Sequence, residues 1–506
     1  MTYGGSHRSL WLDDELQPLV TDAVSVLKTR RCDVVIVGAG IVGLTAAISL
    51  LQSGRSVCVL EARQVGQGTS VHATAKVTSS HGSLLAQIAD RRGISAAVEY
   101  QESNDAGFTW LAGLVEGVEE SVEWNVAEHL VYGSDDDALR QNAAIASVAG
   151  AAAKVSESPF WTGEQAMTWG HCALVHPAKL LRFLADEARR RGAVLVEHAR
   201  VQQVRSNEIE AEVRLEGGQA MRCKHVVLAT QLPISDPELL VPRLDFTWHA
   251  AIAVHSGSRT VPTSISIDED GMSTRPVRLA DGLRGAVIVG PRTSPDELTS
   301  GLAWDELESR AARLMGTGTT VCRWSAHDAC APGLLPLLRH RPGQLRVWTI
   351  TGMNGWGFTN AAALALTLPS VLRHPEEATA NGSLSAHGAL QSSRTLASSG
   401  LRTAKALLGG HARSFGSSRM SSIPVGTGVV VGGPVNPQAV SRTADGVIHS
   451  VSARCTHAGC IVDWNLMAQA WECPCHGSMF EPDGQVLCGP ASKPLPPSHD
   501  RVEQES

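Results

Sequence analysis

No charge of one sign is in excess along this 506-residue chain, where 43 Lys and Arg stand against 50 Asp and Glu for a net charge of −7. Charged residues make up 18% of it. That balance argues against a nucleic-acid groove or a polybasic membrane patch. Long apolar runs are also lacking. The eighteen uncharged residues from Val34 to Leu51 are broken by Gly38, Gly40 and Gly43, so no membrane span is expected. The first residues show no basic stretch followed by an apolar core, and Asp13, Asp14 and Glu15 come early. No secretory signal is therefore expected, and a cytoplasmic location is. The eleven cysteines do not form a secreted disulfide framework. Cys32, Cys58, Cys172, Cys223, Cys330 and Cys488 are scattered singly, as small core or loop residues are.

The length exceeds one ordinary core and implies two or three domains. Near the C-terminus, Cys455-x-His457-x-x-Cys460 is followed by Cys473-x-Cys475-His476-x-Ser478. Each stretch offers a thiolate and an imidazole at close spacing, and two such loops complete a four-ligand metal site. Zinc fingers run Cys-Cys and then His-His, whereas here Cys and His alternate between the loops. The motif resembles the Rieske 2Fe-2S domain, in which one iron takes two Cys and the other two His. The resemblance implies that Cys455 and Cys473 hold one iron and His457 and His476 the other. It also implies a disulfide between Cys460 and Cys475, as in Rieske proteins of the cytochrome bc type. Such a bond is unusual in a reducing compartment. Ser478 stands where the family places a hydroxyl donor to the cluster, and Phe480 replaces a tyrosine donor of high-potential members. That loss is expected to lower the potential. Gly489-Pro490-Ala491 matches the loop that covers the cluster.

Upstream, Cys32 to Ile48 reads as a buried strand, a Gly38-x-Gly40-x-x-Gly43 turn and an Ala-rich helix. Gly38 permits the tight turn, Gly40 lets backbone approach a pyrophosphate, and Gly43 allows close helix packing. A second strand, Val57 to Leu60, ends at Glu61, eighteen residues after Gly43, where an acid can accept hydrogen bonds from ribose. The fingerprint does not separate FAD from NAD. Three further stretches resemble the D-amino-acid and glycine oxidase family and imply FAD. Gly66 to Thr78 looks like the segment running past the pyrophosphate, with Thr74 and Lys76 as cofactor contacts. Val226 to Thr230 looks like a second nucleotide strand, with Ala229. Gly352, Gly355, Gly357 and Thr359 belong to a third glycine turn that opens a helix. Val201 lies where the family contacts adenine.

The implied fold is an α/β FAD-binding Rossmann-like domain with an antiparallel β substrate subdomain, plus a C-terminal all-β Rieske domain. The expected division is an N-terminal segment (1–30) anchored by Trp11, an FAD-dependent oxidoreductase domain (31–370), a Ser/Ala/Gly-rich linker (371–420) and the Rieske domain (421–500). Residues 83–160 read as Ala-rich helices, and 246–289 as antiparallel strands. A helix is expected from His176-Pro177 to Gly192, and a short one at Leu401–Leu408. His81, His176 and His327 are polar candidates near the flavin motifs, each more often structural or capping. No catalytic base is identified. Cys322 lies near where sarcosine oxidases attach flavin, although the surrounding motif matches poorly.

The whole order resembles bacterial FAD-dependent oxidoreductases fused to a Rieske domain. It implies oxidation of a small-molecule amine or amino acid, with electrons passing from flavin to the chain's own 2Fe-2S cluster and on to an unidentified one-electron acceptor. Pro332-Gly-Leu-Leu-Pro336 departs from the relatives' Asp-Gly-Leu-Pro, so substrate identity does not carry over. Two other readings stay open. One is an oxygen-using amine oxidase with a structural Rieske domain, and the other is a non-catalytic electron-transfer or redox-sensing protein.

Overall fold

The glycines at 38–43 split the long uncharged run into a strand and a helix. Strand β1 (Cys32–Val37) is buried from Val34 onward, and helix α1 (Ile41–Gln52) follows directly. On one side β1 pairs in parallel with β2 (Val57–Leu60), and on the other with Ala220–Leu228. Val194–Val196 extends the sheet beyond β2, also in parallel. A parallel sheet covered on both faces needs continuous apolar strands, which is what these sequences supply. The strand Ala220–Leu228 has two partners along its length. Its first half pairs with Ala211–Leu215, while Val226–Leu228 pair with Val347–Thr349 of the strand Gln344–Thr351.

The computed structural model describes residues 8–12, 19, 21–22, 24–28, 31–161, 164–234, 240–256, 259–280, 282–293, 302–316, 319–341, 343–374, 423–433, 435–466 and 468–498. Most of the expected linker, including the helix expected at Leu401–Leu408, lies outside them.

Four helices pack together on one face of this sheet. α1 lies against Gly357–Val371, with Ser49 Oγ donating to Ala365 O at 2.6 Å. The helix Ile94–Val115 crosses Gly357–Val371 so closely at Gly107 that a Cβ there would stand 2.8 Å from Ala363 N and Thr359 O. The amphipathic helix Pro177–Arg190 buries Leu180, Leu181, Leu184 and Ala188, as its periodicity predicts.

A second eight-stranded sheet runs Thr320–Cys330, Asp245–His255, Arg284–Thr293, Ser273–Arg278, Ser264–Ser266, His129–Gly133, Gln165–Trp169 and Ala153–Glu157. Two features differ from the sequence reading. Residues 83–160 are helical at Leu84–Arg92, Ile94–Val115, Glu119–Val122 and Asp136–Val148, but His129–Gly133 is a fully buried strand. Five residues are too short for helical periodicity to register, and their partners lie far along the chain. The sheet is also not wholly antiparallel, since Ser264–Ser266 pairs in parallel with His129–Gly133. The two strands come from different chain segments, so no hairpin forces them to reverse direction.

The C-terminal domain has a three-stranded sheet, Thr427–Val431, Gln438–Arg442 and Ile448–Ser452. A four-stranded sheet follows, Asp463–Asn465, Ala470–Glu472, Met479–Phe480 and Val486–Cys488. Its core gathers Trp464, Trp471, Phe480 and Leu495 around Cys455 and Cys473. Ala470 and Met479 leave that core and join one centred on Trp248, Ile252 and Ile288 of the second large sheet. The two domains therefore share apolar surface. No helix among the described residues is long and apolar enough to cross a membrane.

Candidate functional site

The turn between β1 and α1 exists only because its glycines lack side chains. Gly38 has φ 103°, and a Cβ on it would meet Ala229 O at 2.6 Å. A Cβ on Gly43 would stand 1.9 Å from Gly38 O, so Gly43 lets the helix close over the turn. Gly40 is more lenient, because its Cβ would face Ser70 Oγ at 3.2 Å. Glu61 is fixed by backbone, accepting from Ala39 N at 2.8 Å and Arg63 N at 2.9 Å, one on each carboxylate oxygen. Each oxygen keeps a second acceptor direction for a ligand hydroxyl. Gly38, Gly40, Glu61, Val201 and Ala229 line a cavity of about 1520 Å³, and Gly43 does not. A single drug-sized ligand fills roughly 300–1,000 Å³, so this space admits a dinucleotide and a second molecule beside it.

Residues Gly66–Thr78 form a second wall, held from outside by Arg275, which the sequence did not single out, and by Trp11, read there as an anchor. Arg275 is buried and donates to Thr74 O (3.0 Å), Ala75 O (2.9 Å) and Val175 O (3.0 Å). Its guanidinium lies 4.9 Å from the Trp11 ring centroid, and Trp11 Nε1 donates to Ala73 O at 2.9 Å. Trp11 thus anchors the N-terminal segment on the cavity wall. Lys76 points inward, with Nζ donating to Ser264 O (2.8 Å) and Ser273 Oγ (2.5 Å). Burial pushes this ammonium down to about 7. His81 contacts Tyr100 Oη (2.7 Å), Thr78 O (2.8 Å) and Thr359 Oγ1 (3.0 Å), and stacks on Trp356 at 4.6 Å. Burial lowers it to about 3, which keeps it neutral and makes it a fastener between walls.

The third turn completes the cavity. Gly352 (φ 73°) and Gly355 (φ 83°) adopt left-handed conformations and lead into the helix Gly357–Val371. Asn354 ties the turn down, accepting from Ala331 N at 2.8 Å and donating to Leu334 O at 2.7 Å. Thr74, Lys76, Gly352, Gly355, Gly357 and Thr359 all line the same space. The other candidates fall elsewhere. His176 caps the helix Pro177–Arg190, its Nδ1 accepting from Lys179 N. Cys322 is buried in the apolar core and does not line the cavity, so the structure offers no support for a thioether there. The side chain of His327 lies outside the described residues.

The C-terminal domain closes the far side of the cavity with Met479, Leu487, Cys488, Gly489, Ala491 and Ser492. Arg200 donates to Val486 O at 2.8 Å, and Cys488 Sγ lies 3.8 Å from Gln231 Oε1. Trp248 Nε1 donates to Glu472 Oε1 at 3.1 Å, and Asn465 Nδ2 to Glu472 Oε2 at 2.8 Å. Glu472 directly precedes Cys473, so this peg between domains abuts the metal-ligand loop. Nothing in its sequence context marks it, because Trp248 lies more than two hundred residues away.

In the two Cys/His loops, the free thiols of Cys455 and Cys473 face each other closely enough for a hydrogen bond, which draws Cys455 below the usual thiol range. Backbone N–H of His457 and the Ser478 hydroxyl add to this. The rings of His457 and His476 meet edge-on at 5.0 Å. Cys460 and Cys475 form a disulfide, with Cα atoms 6.5 Å apart. Cys460, Cys473 and Cys475 hold their sulfurs within 4.8 Å of one another, but two of the three are spent in that disulfide and are not thiolate ligands. A facing thiol pair with a histidine pair beside it suits a two-iron cluster with mixed ligation. Ser478 Oγ accepts from Ala491 N at 3.0 Å, linking the second ligand loop to the loop that borders the cavity. Phe480 is fully buried in the domain core.

Residues 33–368 match the family described as FAD dependent oxidoreductase, and residues 421–499 match the Rieske [2Fe-2S] domain. The chain is 25% identical over 483 residues to YhfW of Bacillus subtilis (strain 168), named as a Rieske 2Fe-2S iron-sulfur protein. That match covers 92% of this chain and 93% of YhfW. The cytochrome b6-f complex iron-sulfur subunit 1 of Nostoc sp. is 44% identical over 57 residues, 11% of this chain and 32% of that subunit. Among solved structures, glycine oxidase from Geobacillus kaustophilus aligns with TM-score 0.54 at 18% identity, covering 68% of this chain and 95% of its own. L-proline dehydrogenase from P. horikoshii aligns with TM-score 0.57 at 17% identity, covering 68% and 94%. At these identities the structural likeness is one of fold.

Proposed function

The chain belongs to the FAD dependent oxidoreductase family and carries a Rieske [2Fe-2S] domain behind it, and from this premise we propose that it oxidises a small-molecule amine or amino acid and delivers the electrons to its own cluster. FAD supplies a two-electron hydride acceptor when bound, and the cluster a one-electron carrier. In this reading Gly38, Gly40 and Glu61 hold the ADP half of the dinucleotide, with Val201 and Ala229 beside them. Thr74, Lys76 and the turn at Gly352, Gly355, Gly357 and Thr359 hold the flavin half. Cys455, Cys473, His457 and His476 hold the cluster.

The observation that carries the proposal is the shared cavity. Its walls include the Gly352–Gly357 turn on one side and Gly489 and Ala491 on the other, and Ala491 is bonded to Ser478 beside the ligand loop. A donor and an acceptor tethered in one chain meet at high effective concentration. The solved neighbours named for glycine oxidation and L-proline dehydrogenation favour an amine or amino acid as substrate class.

The test is an anaerobic panel of amines and amino acids, following flavin and cluster absorbance together. Flavin bleaching should come first, and the reduced-cluster signal should then grow at a rate independent of protein concentration. A cluster-free His457→Ala protein should still bleach with substrate but lose turnover with a one-electron acceptor. Full turnover in that variant, with hydrogen peroxide formed in step, would make the protein an oxygen-using oxidase. No bleaching across the panel would favour a redox-sensing role.

A further inference from the structure

Two of the acidic side chains facing the cavity are already committed to protein donors. Glu61 spends both oxygens on Ala39 N and Arg63 N, and Asp268 accepts from Ser134 N (3.1 Å) and Ser134 Oγ (2.9 Å). Asp328 is different. It lies near the end of the strand Thr320–Cys330 and lines the cavity beside the third glycine turn, where a Cβ on Gly355 would stand 3.1 Å from its Oδ2. Its hydrogen-bond partner is the Cys330 thiol at 3.9 Å, a weak donor. Arg292 is near enough to act on its charge, but among the described residues it forms no ion pair with it. A half-buried carboxylate without strong donors is costly unless an occupant supplies them.

We propose that Asp328 is the recognition group for the substrate's nitrogen, accepting hydrogen bonds from a protonated amine held over the Gly352–Gly357 turn. The proposal rests on the amine-oxidation reading above and sharpens it, because it makes the cationic nitrogen the feature by which the site selects its substrate. Burial raises the Asp328 carboxyl to about 6, in keeping with an acid that lacks donors of its own. Lys76, which lines the same cavity, does not compete for it, since its Nζ is bonded to Ser264 O and Ser273 Oγ.

The test uses the FAD- and cluster-loaded protein and tert-butylammonium, whose carbon beside nitrogen carries no hydrogen and cannot be oxidised. Its binding is read from the flavin absorbance, with tert-butanol and pivalate as neutral and anionic shapes of similar size. The wild-type protein should bind the cation and neither control. Asp328→Asn should keep its FAD content and thermal midpoint while weakening the cation at least about tenfold, the scale of one lost charge-assisted hydrogen bond. Equal cation binding by the variant, preference for pivalate, or no binding by the wild type would overturn the assignment. Loss of FAD from Asp328→Asn would overturn it too, by making the carboxylate a cofactor contact. Because the probe is not turned over, these outcomes are independent of whether the cluster accepts electrons.

Discussion

The two halves of this molecule hold their sites by opposite means. In the cluster domain, the four proposed ligands fall between residues 455 and 476, and short-range links fix them. Cys455 N donates to Cys460 O at 2.8 Å, Gly477 N to Cys473 O at 2.9 Å, and one disulfide joins the loops. In the flavin domain, the cavity runs from Gly38 to Thr359, and its fasteners span the chain: Arg275 to Thr74, Thr359 to Thr78, Lys76 to Ser264. The first site is a local device that one domain can carry anywhere. The second is assembled by the whole fold and is therefore exposed to substitutions far from it.

Changing a cluster ligand should have the largest effect and stay within its half. Cys455→Ser should abolish 2Fe-2S absorbance while FAD remains at one per chain; loss of both would show that the shared cavity couples the sites more tightly than their separate fasteners imply. Within the flavin half, Gly43→Ala and Gly40→Ala separate packing from access. The clash of 1.9 Å with Gly38 O should make Gly43→Ala lose roughly 3 kcal/mol or more in urea unfolding, together with FAD. Gly40→Ala, meeting only the Ser70 hydroxyl, should stay within about 1 kcal/mol.

The seam between the halves is tested by Trp248→Phe. That change leaves the buried Glu472 carboxylate without its donor from the other domain and should cost about 1–3 kcal/mol in the same measurement. An unchanged midpoint would mean that the domains are held together elsewhere.

Lys76 gives an effect with a defined pH sign. Folding lowers its ammonium from 10.5 to about 7, so between those values the unfolded chain holds a proton that the folded chain has released. Wild-type stability should therefore rise with pH across that window, by up to about 1.4 kcal/mol per unit from this group. Lys76→Met should remove that part of the slope, whatever it does to the absolute value. An unchanged slope would mean that Lys76 stays charged when buried.

Spacing alone marked two Cys/His loops as a metal site and one turn that could receive a pyrophosphate, because both devices lie within a few tens of residues; which Cys would hold iron came from the resemblance to the Rieske family. Alternating Cys and His, or three glycines between a strand and a helix, constrain the backbone whatever surrounds them. The clamp of Arg275 and Trp11 on the cavity wall, the buried strand His129–Gly133, the Trp248–Glu472 peg and the uncommitted carboxylate of Asp328 carry no such local signature. Each is defined by a partner outside its own stretch of chain or by the absence of one, and that is decided only when the sheets close and water is excluded. Tertiary structure likewise decided that the two sites face one space: burial of Ala470 and Met479 against Trp248 sets the cluster domain against the flavin cavity, and no spacing along the chain encodes that approach.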